Sequence, residues 1–415
     1  MRIAMITQWY DPEQGAALMP GTIARALSEL GNEVHVLTGF PNYPAGELYP
    51  GYRVRPYQRE ESQGVTVHRA PLYVSHDSDP KRRAANYLSY AASATAIALT
   101  RLGRVDATLV HSTPATVAIP AMAMRAVKRT PYIVHIQDLW PQTVTASGFL
   151  RDGQPGRAEA LLHRFCDSVY RHASSIAVTS PGMADLISAR GVAAKKISVI
   201  PNWTNERHFR PMAPRDDLVN ELGPFRPFTV MYAGAMGDLQ ALDVLIEAAA
   251  MLRDHRDIGF MLIGAGVAET SLKTQASEAR LDNVRFLGHQ PVERIAEVLA
   301  LGDIQIISLK DLPIFRNILP SKMQATLAAG RPIIGALAGD AANVIRDAGA
   351  GLVTTPGSAA ELAEAILKAA AMPAEERQAW GDRGRDYYVD HLSKETGAQA
   401  LTDLLQSAAM KNVRS

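Results

Sequence analysis

Short runs of apolar and β-branched residues recur along the whole chain, separated by longer stretches of helical periodicity, and this alternation restricts the fold more than any other feature. In the first half the runs are Ile3 to Ile6, Glu33 to Leu37, Thr66 to Arg69, Ala107 to His111, Tyr132 to His135, Ile176 to Val178 and Val199 to Ile200. A sheet covered by helices on both faces needs strands that are apolar throughout, whereas a half-exposed sheet needs alternation. The chain therefore reads as α/β with parallel strands. Between the first two runs, Ile23, Leu27 and Leu30 fall at helical spacing in Pro20 to Leu30, and Gly31 closes that helix.

A chain of 415 residues is too long for one ordinary core. A second series of strands comprises Phe228 to Ala233, Gly259 to Ile263, Val284 to Leu287, Ile304 to Ser308, Pro332 to Ala336 and Gly351 to Val353. The polar, proline-bounded stretch Pro201 to Pro211 separates the two series. The expected organisation is a doubly wound domain over 1–203, a second over 204–385, and a helical segment over 386–415 that could pack back on either.

A net charge of +1 gives no reason to expect a nucleic-acid partner. The single Cys166 excludes an internal disulfide framework and any zinc site built on cysteine pairs, and fits a reducing interior. The apolar run at the N-terminus reads as a first strand rather than a signal peptide. Ala84 to Thr100 is uncharged but too rich in Ala, Ser and Thr for a spanning helix, so it reads as a soluble helix. A cytoplasmic protein is expected.

In open α/β sheets, ligands bind beyond the carboxyl ends of strands, which directs attention to the residues that follow each run. The most informative segment is Asn317 to Ile334, which reads as a loop, an eleven-residue helix and a buried strand. Pro320 suits the first turn of that helix, whose free N–H groups would face an anion, and Ser321 and Lys322 add a hydroxyl and an ammonium there. Gly330 stops the helix and Pro332 prevents it from resuming. After the first strand, Gly15 and Ala16 lie in a loop that either lets backbone approach a phosphate or is a plain connection. Asp138, beyond Tyr132 to His135, could orient a substrate hydroxyl or take part in proton transfer, or could cap a helix ahead of Pro141 and Gln142. His135 is either a hydrogen-bonded core histidine or a group at the reaction centre. Gly234 and Met236, and then Gly264 and Gly266, occupy glycine-rich turns where backbone can come close to a ligand. The second turn lacks the third glycine of a dinucleotide fingerprint, which disfavours a nicotinamide or flavin. His289 and Gln290, past another strand, either offer a loop to a planar base or are simply exposed.

Taken in order, these motifs resemble the large retaining family of glycosyltransferases with two Rossmann-like domains, the GT-B fold. The residues that carry the resemblance are Gly15 ahead of Ala24 to Leu27, Gly31 to Leu37, Ile200-Pro-Asn202, Tyr232-Ala-Gly234, Leu262 to Gly266, Val284 to Gly288, Pro320-Ser-Lys322 with Ala328 to Pro332, and Gly381 to Arg385. More narrowly, His135 to Pro141, Pro201-Asn-Trp203 and Gly234 to Gly237 resemble a bacterial branch that transfers N-acetylated amino sugars, of the N-acetylfucosamine type, in surface polysaccharide synthesis.

The resemblance implies a C-terminal domain that binds a nucleotide sugar, UDP-linked in the first instance, and an N-terminal domain that presents a saccharide or lipid-linked acceptor in a cleft between them. It implies retention of configuration, with Asp138 and His135 as the catalytic candidates and no metal or other cofactor. Two departures stand out. Family members carry two glutamates where this chain has Asn317 and Ala325, and no glutamate occurs between Glu297 and Glu361. The family's Arg and Lys beside the diphosphate correspond here to Ala235 and Gln240. Lys322, the helix terminus and Arg316 would then have to offset the charge of the leaving diphosphate, with Asn317 limited to neutral hydrogen bonds.

Lys81, Arg82 and Arg83, after Asp79-Pro80, open the helix that runs on from Ala84 to Leu102, and either favour peripheral contact with the anionic inner face of a membrane or are a solvated helix start. Two rival functions remain: a sugar-nucleotide 2-epimerase, which would need more cleft carboxylates and histidines, and a nucleotide-sugar-binding protein without catalysis.

Overall fold

The computed structural model describes residues 1–13, 15–76, 79–140, 157–223 and 225–413. By its contacts the chain divides into two units. Unit 1 is Met1–Pro201 together with Gly397–Ser415, and unit 2 is Asn202–Thr396.

Unit 1 is built on an eight-stranded sheet of β1 (Arg2–Ile6), β2 (Glu33–Gly39), β3 (Gln58–Ser62), β4 (Val65–Ala70), β5 (Ala107–Ser112), β6 (Tyr132–Ile136), β7 (Ser175–Val178) and β8 (Ile197–Val199), in the order β3-β4-β2-β1-β5-β6-β7-β8. All its pairs are parallel except β3 with β4. Strand β3 was not expected from the sequence. Its residues, Gln-Arg-Glu-Glu-Ser, have no apolar face, and it forms because an edge strand buries little and is held by its ladder to β4. The connections reverse direction between β1 and β5, so the switch point of this sheet lies at the carboxyl ends of those two strands.

Unit 2 contains β9 (Phe228–Ala233), β10 (Ile258–Ile263), β11 (Val284–Gly288), β12 (Ile304–Ser308), β13 (Ile333–Ala336) and β14 (Gly351–Thr354), in the order β11-β10-β9-β12-β13-β14, all parallel. Strands β10 and β12 are buried at every position, as helices on both faces require. The switch point here falls between β9 and β12.

Several helices differ from the expected boundaries. The first runs Leu18–Glu29, preceded by a 3-10 turn at Gly15–Ala17. The basic helix runs Pro80–Thr100, starting four residues before Ala84 because Asp79 caps it, accepting from the Lys81 N–H at 2.9 Å, and stopping short of Leu102. No described helix is long and apolar enough to cross a membrane. The helix after Asn317 is Ser321–Ala328, eight residues rather than eleven. Pro320 lies outside it as the N-cap, with ψ 133°, and residues Pro313–Asn317 form a separate 3-10 turn.

The C-terminal region is two helices, Ala374–His391 and Lys394–Val413, and not one segment from 386. The first packs on Ser321–Ala328. Arg385 donates to the Ala328 carbonyl at 2.8 Å, and a side chain at Gly381 would collide with the Gly330 carbonyl. That contact accounts for the Gly381 to Arg385 motif. The second helix buries Ala398, Leu401, Leu405 and Ala408 within unit 1.

Candidate active site

The switch point of unit 2 opens into a cavity of about 230 Å³. Ala233 and Gly234 from the end of β9, Ile306 and Ile307 from β12, and Ser321, Lys322, Ala325 and Thr326 from the helix after Pro320 all line it, with Thr204 contributing from the start of the unit. Three of the residues singled out in the sequence, Gly234, Ser321 and Lys322, are thus brought to one place. Ser321 is exposed at the amino end of its helix, where the unpaired N–H groups and the dipole favour an anion.

Lys322 is half-buried and does not extend into solvent. Its ammonium donates to the Tyr232 hydroxyl and, at 3.3 Å, to the Ala235 carbonyl, and it lies 4.1 Å from the centre of the Tyr232 ring. Burial lowers its pKa to about 8. The side chain crosses directly over Gly234, where any Cβ would coincide with the lysine stem.

The glycines of the two turns serve each other. The Gly234 N–H donates to Ile263 at 2.8 Å and the Met236 N–H to Ala265 at 2.9 Å, so the turns after β9 and β10 are laced backbone to backbone. A Cβ at Gly264 would enter the Gly234 carbonyl, and one at Gly266 would enter the backbone of Met236. Gly264 also has φ +127°, which side chains rarely adopt. Loop packing is therefore sufficient to require Gly264 and Gly266. Met236 is fully buried.

The other donor-side candidates are dispersed. Arg316 is exposed and paired with Asp311 at 2.9 Å, so it is not a loose cation swinging toward the helix terminus. Asn317 ends its 3-10 turn half-buried and is not among the cavity's lining residues. His289 is exposed, and Gln290 turns back to donate to the Leu287 carbonyl at 3.1 Å. Ala325, where the family has a glutamate, lies on the cavity wall.

In unit 1, Asp138 stands just past β6, half-buried, and accepts from the Thr113 hydroxyl at 3.1 Å across the neighbouring strand end. Burial raises its pKa, and the Thr113 hydrogen bond opposes the shift. Pro141 and Gln142, which bear on its capping alternative, lie outside the described residues. His135 is completely buried, its Nε2 paired with the Ile200 carbonyl at 3.1 Å, and burial holds its pKa down at about 4. That is the geometry of the hydrogen-bonded core histidine. Gly15 is exposed in its 3-10 turn, with Ala16 beside it in the backbone.

Two features of unit 1 escaped the sequence. Glu13 is buried and its carboxylate accepts from the backbone N–H groups of Tyr10, Asn42 and Tyr43 at 2.7 to 2.8 Å, tying the loops after β1 and β2 together. On that framework the rings of Trp9, Tyr43 and His76 meet, Trp9 and Tyr43 tilted with centres 4.7 Å apart and Tyr43 and His76 edge to face at 4.8 Å. Tyr87 and Trp140 form a second pair at 6.0 Å. Asp138 and Arg83 both act electrostatically on Tyr43 and Tyr87. Trp9, Tyr43 and Trp140, each a few residues past a strand end, gave a local signal that could have marked this cluster.

A larger cavity, about 760 Å³, lies at the opposite, amino ends of β1, β5 and β6. Lys128 donates there to the carbonyls of Ala98 and Gly103 at 2.8 and 3.2 Å. A parallel sheet offers a ligand less at that edge. Among the described residues no cluster of His, Cys, Asp and Glu could hold a metal ion.

Two families match the chain in succession: the glycosyl transferase 4-like domain over residues 14–203, and glycosyl transferases group 1 over 216–387. The chain is a glycosyltransferase of the GT-B fold. Among its relatives, the putative colanic acid biosynthesis glycosyl transferase WcaI of Escherichia coli is 28% identical over 80% of this chain and 82% of its own. The 2-deoxystreptamine glucosyltransferase of Streptomyces kanamyceticus is 26% identical over 85% of this chain and 88% of its own. The fold is shared with Anabaena HepE, solved with UDP, at a TM-score of 0.70 and 17% identity over 98% of this chain and 100% of that one.

Proposed function

We propose that this glycosyltransferase moves a sugar, an N-acetylated amino sugar, from a UDP-linked donor to a saccharide or lipid-linked acceptor in bacterial glycan synthesis, with retention of configuration. The observation that carries the reading is the cavity at the unit 2 switch point, where the Ser321–Ala328 amino end, the Ser321 hydroxyl and the Lys322 ammonium converge beside Gly234. The putative part of WcaI in colanic acid biosynthesis supports the bacterial glycan context, and the UDP in HepE supports the base.

The donor diphosphate lies against that helix terminus. As the acceptor oxygen bonds to the anomeric carbon, the bond from that carbon to the diphosphate breaks, and the electron pair leaves with the phosphate oxygen. The acceptor proton passes to the departing diphosphate on the same face. Lys322 and the helix dipole offset the charge that develops, which is the larger part of the catalysis. In unit 1, Asp138 orients the acceptor hydroxyl with Thr113 behind it. No metal takes part. Lys81 and Arg82, both exposed, add attraction to an acidic bilayer at about 1 kcal/mol each.

Incubation with UDP-, GDP- and dTDP-sugars, with and without candidate acceptors, followed by mass spectrometry and NMR of the anomeric proton, tests the reading. Transfer that needs acceptor and keeps the donor's anomeric configuration is expected. Epimerised donor in the absence of acceptor, or binding with no reaction, refutes it; an inverted product refutes retention alone. Sedimentation with acidic and neutral liposomes tests the membrane contact, and equal recovery with both removes it.

A further inference from the structure

Lys322 is a long, flexible cation, yet three groups fix its end. Its Nζ donates to the Tyr232 hydroxyl and to the Ala235 carbonyl at 3.3 Å, and the Tyr232 ring lies beneath it at 4.1 Å. The phenol's own proton is used, since the hydroxyl donates to the Ala235 carbonyl at 2.5 Å. Its oxygen is left to accept from the ammonium. Tyr232 is fully buried, so neither water nor a ligand reaches it. Gly234 completes the arrangement by leaving the space that the lysine stem crosses.

We propose that Tyr232 is a positioning residue for donor binding: it holds the Lys322 ammonium at the cavity beside the amino end of Ser321–Ala328 and yields it to the donor's diphosphate. The inference rests on the donor-site reading above. In the exchange the ammonium gives up two neutral acceptors for an anionic one, which makes the stronger hydrogen bond, while the ring stays beneath it. Tyr232 thereby reduces the ordering that the lysine would otherwise undergo on binding.

Calorimetric titration of the full chain with UDP and with inorganic pyrophosphate, from about pH 6.5 to 9.5, tests this on the wild type, Tyr232→Phe, Lys322→Met and Lys322→Arg. Tyr232→Phe is expected to weaken both probes about fivefold at neutral pH, the effect of one side chain left to be ordered. The pH at which binding weakens should also move down, because the ammonium has lost an acceptor that favours its charged form. Lys322→Met should bind weakly with no such step, and Lys322→Arg should bind without a step because its charge is permanent. A wild type that binds neither probe removes the donor-site reading itself. A wild type that binds, beside a Tyr232→Phe protein with the same affinity and the same pH midpoint, overturns the positioning role alone, as does a lower melting temperature with an unmoved midpoint. Should Tyr232→Phe fail to fold, a pH step that persists in Lys322→Arg overturns it.

Discussion

Acidification should loosen unit 1 before unit 2. Burial pulls the pKa of His68 and His135 from 6.5 to about 4 and that of His111 to about 3, and all three lie in unit 1. His111 and His135 face each other across β5 and β6 with ring centres 6.0 Å apart, and His68 bonds His35 at 3.1 Å and Tyr57 at 2.9 Å. None of the histidines of unit 2 is buried. For a base whose folded pKa is depressed, the unfolded chain binds more protons between the two pKa values, so stability is full above about pH 6.5 and is lost as pH falls toward 4. From pH 7.5 to 5.5 each histidine contributes a loss of about 1.3 kcal/mol, about 4 kcal/mol together. Glu13 acts in the opposite sense. Burial raises its pKa to about 7, so protonating it over the same range returns up to about 2 kcal/mol. The three N–H groups that favour its charged form already act within that value, and Asp138, also raised, adds to the offset. The net loss is about 2 kcal/mol, confined to unit 1. Hydrogen exchange read by mass spectrometry at the two pH values reports the units separately. Equal loss of protection in both, or an unchanged profile after His111→Asn and His135→Asn, refutes the reasoning.

Asp138→Asn should lower turnover by at least about tenfold while nucleotide affinity stays within error, in steady-state kinetics paired with calorimetry; unaltered turnover removes Asp138 from the mechanism. Tyr43→Ala should raise the acceptor KM and leave nucleotide binding alone, and the reverse pattern would place the aromatic cluster on the donor side. Gly264→Ala should destabilise unit 2 by about 2 to 4 kcal/mol in chemical denaturation, since its methyl group meets the Gly234 carbonyl. Activity after chelation with EDTA should be unchanged, and rescue by magnesium would contradict the metal-free reaction.

The parallel core was legible because burial on both faces leaves an unbroken apolar run, as in Ile258–Ile263. Gln58–Ser62 was not, because an edge strand held mainly by its ladder needs no apolar pattern. Pro320 reads from sequence as a first-turn residue yet precedes its helix: a fixed φ suits both positions, and only ψ separates them. The glycine pairs were visible, but their partners were not, since Gly234 meets Gly264 through folding and not through spacing. The same holds for Trp9, Tyr43, His76, Tyr87 and Trp140, which come from loops and a helix far apart in the chain. His135 illustrates the reverse case: its buried position was readable from the strand, and its pairing with Ile200 was not.

The Lys394–Val413 helix leaves the ribosome only after all of unit 2 has been made, although most of it belongs to unit 1. Throughout that interval the nascent first unit carries an uncovered patch where Leu401 and Leu405 will later sit. Its maturation therefore waits for a helix made after the whole of the second unit, which is free to finish first.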